Sequence, residues 1–547
     1  MIRIHNDLQR KLDSMKTIKE RLELLQPEIN YQINDRDYSR LFAEVVHSHL
    51  LYNVSSEQWM YYNGKYWEPD IGEIHIKRFM KEFSRALSLY VNELDPEIYK
   101  DLISFVSDLG KASRRAVLIK DAFDVYTVKE EDFDKNPLLF NCDNVTIDLA
   151  TRTSHPHTAE DMITKYSPVI CDPNATSDFL DSFMNQIFCN DKELISYVYR
   201  FFGYSLTGLT KEECFFIMLG ESSRNGKSTL LSMFTHLLGG CTDSGYARDI
   251  GIETLAQRKY LNGSAPSPDI AKLKGSRFIT CSEPPEDFIM DEAKLKTMTG
   301  GDKISARMLY KNEISFIPTF KIAMATNHRP VIQDDSVLKS NRIRVIPFNR
   351  HFSDEEQDKN LKSTLTSKEV QSALLNKCLN GYASYESIGL HEPKAVIDAT
   401  AKYQTATEIL ELFMTDSLVA SSDGRLKLSI FYDYYSDWCE SRSIFPQPKR
   451  KIMAALRAKG VLRSTATVNG KTERNVIVGY CLANSVPPIV ATVVSSPSTG
   501  SGEEKHKPKP VHIPEFEEFK HSMQEPQTAD ELSALKLLDD MFNVDNM

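Results

Sequence analysis

No apolar run in this chain approaches the roughly 20 residues that a membrane-crossing helix needs, so a membrane protein is not expected. The nine cysteines never fall as C-x2-C or C-x4-C. That pattern supports neither a zinc ribbon nor a disulfide framework, and it fits scattered reduced thiols of a cytoplasmic protein. The opening stretch MIRIHNDLQRKLDS has no apolar segment of the signal-peptide kind. What is present is a composition of 41% hydrophobic and 26% charged residues, that of a water-soluble globular chain. At 547 residues several domains are expected. The net charge of -10 argues against a uniformly basic nucleic-acid coat protein, but it conceals an asymmetry. From Ser441 to Leu482 nine basic residues stand against one acid, whereas from Ser485 onward eleven acids stand against five lysines.

The stretch LGESSRNGKSTLLSMF, Leu219 to Phe234, nearly satisfies the phosphate-loop spacing G-x-x-x-x-G-K-[ST]. Its first glycine, Gly220, comes one residue early. A GK[ST] tripeptide arises by chance roughly once in every few chains of this length, so the context decides. ECFFIMLG, Glu213 to Gly220, reads as a buried strand. After the loop, Leu230, Phe234 and Leu237 or Leu238 recur at helical spacing, and Gly239-Gly240 supply a stop. Strand, glycine loop and helix N-terminus in that order aim backbone N–H groups and the positive helix end at a phosphate. Gly220, Ser223, Asn225, Gly226, Lys227, Ser228 and Thr229 are therefore the candidate ATP cradle. Lys227 would reach the β- and γ-phosphates, and Ser228 would hold Mg²⁺. The plainer alternative is a strand–turn–helix with a surface lysine.

Three further apolar runs end or begin in polar groups suited to such a site. LKGSRFITCSEP ends at Glu283, a carboxylate able to polarise a water and help hold Mg²⁺. PTFKIAMATNHRP carries Asn327, whose amide could contact the γ-phosphate or the attacking water. SNRIRVIPF carries Arg342 and Arg344, and an arginine given to a neighbouring subunit's ATP would stabilise transition-state charge.

The basic stretch has a pattern of its own. LSIFYDYYSDWCES, Leu428 to Ser441, has helical spacing. PKRKIMAALRAKG, Pro448 to Gly460, reads as a second short helix, and a hairpin around Asn469-Gly470 follows. Helix, turn, basic helix and hairpin predict a winged helix-turn-helix, with Lys449, Arg450, Lys451 and Arg457 facing DNA and Lys471 and Arg474 on the wing. The acidic tail is rich in Pro, Ser, Gly and Glu and reads as disordered. Within it TADELSALKLLDDMF carries a capping box, Thr528 and Glu531, and an apolar helical face. A replication protein is a candidate partner for that short helix.

Taken as a set, FFGYSLTGLT, NGKST, LKGSRFITCSEP, TGGDKISARMLYKNEISFIPTFKIAMATN and RIRVIPF resemble superfamily 3 helicases. The branch is that of the poxvirus primase-helicase and the C-terminal halves of phage and plasmid primases. The upstream segment Asn136 to Val169 looks like the helical domain that precedes the ATPase there, and the similarity extends to Ala483. The resemblance implies an AAA+-like α/β P-loop ATPase core that works as a hexameric ring on single- and double-stranded DNA. Lys227, Ser228, Glu283 and Asn327 would come from one subunit and Arg342 from the next. It also implies a hairpin between Glu283 and Asn327 that enters the ring channel, with Lys311 at its tip and Lys303 and Arg307 behind. This chain departs from the branch at Ser222, Ser223 and Arg224, where flexible glycines are usual, at Ser282 in place of a second acid, and at Asn341 in place of an arginine.

The first 135 residues are the least informative. Leu8, Leu12, Met15, Ile18, Leu22 and Leu25 predict a helix or short coiled coil, and EQWMYYNGKYWEPD predicts an aromatic hairpin around Asn63-Gly64. No paired-acid primase signature occurs, so a helicase without an attached primase is expected. The expected divisions are an N-terminal α+β region over 1–135, a helical domain over 136–205, the ATPase over 206–360, a helical connector over 361–425, the winged helix over 426–484 and the tail over 485–547. The expected function is an ATP-dependent helicase and replication initiator of a mobile genetic element. Its rivals are an origin-binding regulator that uses ATP only for assembly, and a P-loop kinase, which the basic C-terminal region and the channel hairpin disfavour.

Overall fold

The structure is a computed structural model that describes residues 11–12, 15–125, 127–220, 222–257, 267–285, 288–307, 313–330, 332, 337, 340–407, 409–442, 444–468 and 471–483. The expectations for Lys311, for the hairpin turn at Asn469-Gly470 and for the acidic tail lie outside these residues. So do the side chains of Lys451 and Lys471.

Of the helix or short coiled coil expected for the N-terminal leucine run, the described residues show the helix, and Leu8 lies outside them. Helix α1 (Ile18–Leu25) starts at a capping box formed by Thr17 and Glu20 and stops where Gln26 turns left-handed. Leu12, Leu22 and Leu25 are buried in a core with Tyr38, Leu41 and Phe42 of α2 (Asp35–Val46). Beside them β1 (Leu50–Asn53), β2 (Gln58–Tyr62) and β3 (Trp67–Pro69) form a small sheet, and the aromatic hairpin turns at Asn63-Gly64 as expected. Trp59 and Trp67 are buried, so this hairpin contributes to the packed core. Helices α3 (Ile74–Val91), α4 (Lys100–Asp108) and α5 (Ala112–Ala122) and strand β4 (Thr127–Val128), parallel to β1, complete the region.

The segment expected to open a helical domain is an antiparallel meander. Strands β5 (Leu139–Asn141), β6 (Thr146–Asp148) and β7 (Thr153–His155) pair in sequence order. Each has three residues, too short to show any period, and Asp148 caps the turn into β7 by accepting the Ala150 N–H at 2.9 Å. A single 3-10 turn (Ala159–Asp161) intervenes, and α-helices follow at α6 (Asp178–Ile187) and α7 (Lys192–Ser205).

Next comes a five-stranded all-parallel sheet. In chain order its strands are β8 (Phe215–Leu219), β9 (Ala247–Asp249), β10 (Phe278–Ser282), β13 (Lys321–Thr326) and β14 (Ile343–Pro347); in space they run β14-β8-β13-β10-β9. All six residues of β13 are buried, the continuous apolar reading of a strand covered on both faces. Helix α8 (Lys227–Leu237) packs through Phe234 on Phe202 of α7, with ring centroids 3.9 Å apart. Helix α9 (Glu292–Thr299) and the antiparallel pair β11 (Ile304–Arg307) and β12 (Glu313–Phe316) sit between β10 and β13.

Helices α10 (Lys368–Ile388) and α11 (Lys394–Thr407) brace the core, α10 against α7 and α11 against β14. The last folded region begins earlier than expected. Helix α12 (Ile409–Ser417) and strand β15 (Leu418–Lys427) share a core with α13 (Leu428–Ser441), α14 (Lys449–Ala458), β16 (Leu462–Val468) and β17 (Lys471–Leu482). The sheet order is β15-β17-β16, so the strand assigned to the connector is the third strand of this sheet. Polar, alternating SSDGRLK hides β15 from a search for apolar runs. Among the described residues no helix is long and apolar enough to cross a membrane.

Candidate nucleotide site

Strand β8 delivers Gly220 to the carboxyl edge of the sheet, and α8 starts at Lys227. The early glycine has a steric reason. A Cβ on Gly220 would lie 2.0 Å from Asn225 Nδ2 and 2.9 Å from Phe348 O. Gly226 caps the helix in a left-handed conformation (φ 86°), and a Cβ there would come within 2.7 Å of Ile187 Cγ2. Arg224 also turns left-handed (φ 58°). The non-glycine tip is tied down: Arg224 pairs with Asp354, its carbonyl accepts the Phe352 N–H at 2.9 Å, and His351 Nδ1 lies 2.9 Å from Ser223 O.

Lys227 is 5% exposed. Its ammonium donates to Asn327 Oδ1 at 2.6 Å, Asn225 Oδ1 at 2.8 Å and Gly220 O at 3.4 Å. All three acceptors are uncharged, so among the described residues this desolvated cation has no hydrogen-bonded counter-charge. Burial pushes its pKa down to about 8, opposed by the negative charge of Glu283. The first-turn N–H groups of α8 and this ammonium together present the chemistry that an anion satisfies.

Glu283 follows β10 directly. Its backbone is left-handed (φ 55°), costing roughly 1–2 kcal/mol for a residue with a side chain, and its N–H donates to Ala325 O at 3.0 Å. Since β10, β13 and β8 are adjacent and parallel, Glu283, Asn327 and Gly220 stand in a row along one edge. Ser228 and Thr229 lie in the first turn of α8, Ser228 exposed. The sequence's separate candidates Gly220, Asn225, Lys227 and Asn327 are thus in mutual contact, with Glu283 beside them.

Arg342 is not part of this cluster. It precedes β14, at the opposite end of the sheet, about 16 Å away by strand rise. There it donates to Glu213 Oε2 at 2.8 Å and to Thr299 Oγ1 at 3.0 Å. Arg344, on β14, is held by Glu392.

Two cavities flank the loop, and sequence reading found neither. One, of about 330 Å³, is lined by Gly220, Ser222, Pro347, Arg329 and Lys402, the last from α11. The other, of about 530 Å³, is lined by Gly226 and Thr229 and by residues of α6 and of the 352–362 segment. Arg329 stands two residues past Asn327 in the ATNHRP run but was not singled out there, and Lys402 lies 75 residues downstream of Asn327 with no local signal.

The candidate nucleic-acid residues are spread over two places. Lys303 and Arg307 are exposed at the β11 end of the small hairpin. Arg450 and Arg457 are exposed on α14, whose Ile452 and Leu456 turn into the core. Lys449 lies over the Tyr432 ring at 5.3 Å, and Arg474 is exposed on β17.

A parallel α/β core with a glycine loop, a buried lysine and strand-end polar groups defines the class of site. Residues 39–189 match the family model described as "D5 N terminal like", and residues 218–342 match a "Family of unknown function (DUF5906)". Curated viral proteins named "Putative helicase" are similar: one from Acanthamoeba polyphaga mimivirus is 27% identical over 58% of this chain and 35% of its own length. One from Frog virus 3 is 29% identical over 43% of this chain and 26% of its own, and one from Invertebrate iridescent virus 3 is 24% identical over 56% and 36%. The match therefore spans about a third of these relatives. The apo structure of the NrS-1 C terminal region overlaps 81% of this chain and 99% of that one at 12% identity and a TM-score of 0.42. The family and relative matches support the superfamily 3 primase-helicase type that the motifs suggested.

Proposed function

We propose that this chain is an ATP-driven DNA helicase that initiates replication of a mobile genetic element. The observation that carries the reading is Lys227, buried at a glycine loop, bonded to Asn327 and, among the described residues, to no charged acceptor. The phosphates of ATP would supply the counter-charge. Ser228 and Glu283 would hold Mg²⁺, which takes one or two protein groups and completes its shell with phosphate oxygens and water. Glu283 would orient the attacking water and Asn327 would report the γ-phosphate. Arg342 faces away from its own loop, a placement suited to completing a neighbouring subunit's site in a ring, with a hexamer as the expected form. Lys303, Arg307 and Lys311 would follow the strand in the channel. The α13–α14–hairpin unit, read as a winged helix, would hold origin duplex through Lys449, Arg450, Lys451, Arg457, Lys471 and Arg474.

One observation favours a second reading. The tip of the loop is bound to the 351–354 segment through Arg224 and Ser223, so it is less free to wrap a phosphate than a glycine-rich loop. A loop of that kind suits a protein that binds ATP for assembly and recognises an origin without unwinding it.

ATP hydrolysis with and without single-stranded DNA separates the two. The helicase reading expects DNA-stimulated turnover that Lys227→Ala and Glu283→Gln both abolish. Binding of ATP and DNA without turnover would favour the assembly reading.

A further inference from the structure

Among the described residues no other large apolar side chain is as exposed as Phe445, at 83%. It stands in the turn between α13 and α14, and that turn is held on both sides. Its neighbour Ile444 is buried and donates its N–H to Cys439 O at 2.8 Å. Two residues beyond the ring, the Gln447 carbonyl accepts the Tyr432 hydroxyl at 2.9 Å, and the Gln447 N–H donates to the hydroxyl of buried Tyr435 at 3.3 Å. Pro446 and Pro448 fix φ at alternate positions and steer Phe445 and Gln447 to extended backbone. The ring points outward on a pinned turn, not on a loose one.

A single exposed apolar side chain is ordinary on a protein surface, but the charge around this one is one-sided. All seven charged residues from Arg442 to Arg463 are basic. Arg442 pairs with Asp416 and Lys459 with Glu411, whereas Lys449, Arg450 and Arg457 have no ion pair among the described residues. The acids of α13, Asp433, Asp437 and Glu440, lie on the side of that helix away from its buried Phe431, Tyr435 and Cys439. Lys449 follows Phe445 by four residues, so their Cα atoms are at most about 14 Å apart. A phosphate chain held at the start of α14 passes within reach of the ring.

A polyanion that also offers flat apolar faces satisfies both features. Nucleic acid does so where its bases are unpaired. A paired duplex shows base edges in its grooves, while a separated strand exposes the faces on which an aromatic ring stacks.

We propose that Phe445 stacks on an unpaired base of DNA whose phosphates are held by Lys449 and Arg450. This rests on the DNA-binding reading of the α13–α14–hairpin unit above and extends it. The unit then engages DNA where duplex gives way to a separated strand, and not duplex alone.

The test measures equilibrium binding of the full chain, by fluorescence anisotropy, to three DNAs of equal length: a single strand, the same strand made abasic, and a duplex. Phe445→Ala should weaken binding of the intact strand about tenfold, the scale of one base–aromatic stack, and leave the abasic strand and the duplex unchanged. Phe445→Trp, which keeps an aromatic face, should bind all three as wild type does. Arg450→Ala should weaken all three. An intact-strand affinity untouched by Phe445→Ala, or an equal loss on all three DNAs, would overturn the stack and leave the phosphate contacts standing. Loss of binding to phosphatidylserine–phosphatidylcholine vesicles in Phe445→Ala, with DNA affinity unchanged, would assign the ring to a lipid surface and overturn the stack as well. Binding of none of the three DNAs to wild type would overturn the DNA-binding reading and this proposal together.

Discussion

Lys227 and Asn327 stand a hundred residues apart in the chain and meet in a 2.6 Å hydrogen bond. The lysine opens α8 and the asparagine follows β13, the strand next to β8. A γ-phosphate bound at this point would exchange the amide oxygen for its own charge and free Asn327 to contact it or the attacking water. Asn327→Ala is therefore expected to lower kcat about a hundredfold, the cost of losing one aligned polar contact in a transition state. ATP affinity should change only a few-fold. Single-turnover hydrolysis beside equilibrium binding checks the split, and a loss confined to affinity would remove Asn327 from the reaction.

The same lysine makes binding depend on pH. Burial depresses its pKa to about 8, so below that pH the ammonium is already charged and binding needs no proton. Bound phosphate favours the charged form and raises the pKa again. Above pH 8 each binding event must then take up a proton, and affinity should fall by up to about tenfold per pH unit. Titration calorimetry in buffers of different ionisation enthalpy at pH 7 and pH 9 measures the uptake. Lys227→Ala should abolish it, and an uptake unchanged in that variant would assign the proton elsewhere.

Arg342 sits at the end of the sheet away from its own loop, paired with Glu213. If it completes a neighbour's site, Lys227→Ala and Arg342→Ala should each be inactive alone. Mixed together they should regain part of the DNA-stimulated turnover, because some interfaces then join an intact loop to an intact arginine. A mixture as inactive as its components would deny the arginine a role across subunits.

Arg450 and Arg457 are exposed on α14, seven residues apart and on one side. As phosphate contacts, each replacement by Ala should weaken duplex binding uniformly across sequences and reduce the slope of log affinity against log salt by about 1. Fluorescence anisotropy between low and physiological salt gives the slope. A salt slope left intact would make these two arginines ordinary solvated charges.

Much of the core was readable because buried parallel strands announce themselves. FFIML, FITCS, KIAMAT and IRVIP are short runs dominated by apolar residues, and the residues just past the first three meet at one edge. The helix over Leu428–Ser441 and the hairpin after it were equally plain, since both alternate apolar and polar residues at the period of their element. Other features had no local signal. Three-residue strands over 139–155 show no period, and β15 is polar along one face and bulged between Ala420 and Arg425.

The amino-acid sequence by itself determined the glycine loop, its lysine, and the strands that present Glu283 and Asn327, because each of these is written in neighbouring residues. Only the tertiary structure decided which of them touch. It set Arg342 at the far end of the sheet, because parallel strands send residues before and after a strand to opposite edges. It also turned Phe179 and Phe183 of α6 toward the loop, because the contact of Ile187 with Gly226 sets how that helix lies. Such contacts join residues tens of positions apart, and no period or spacing within either segment encodes them.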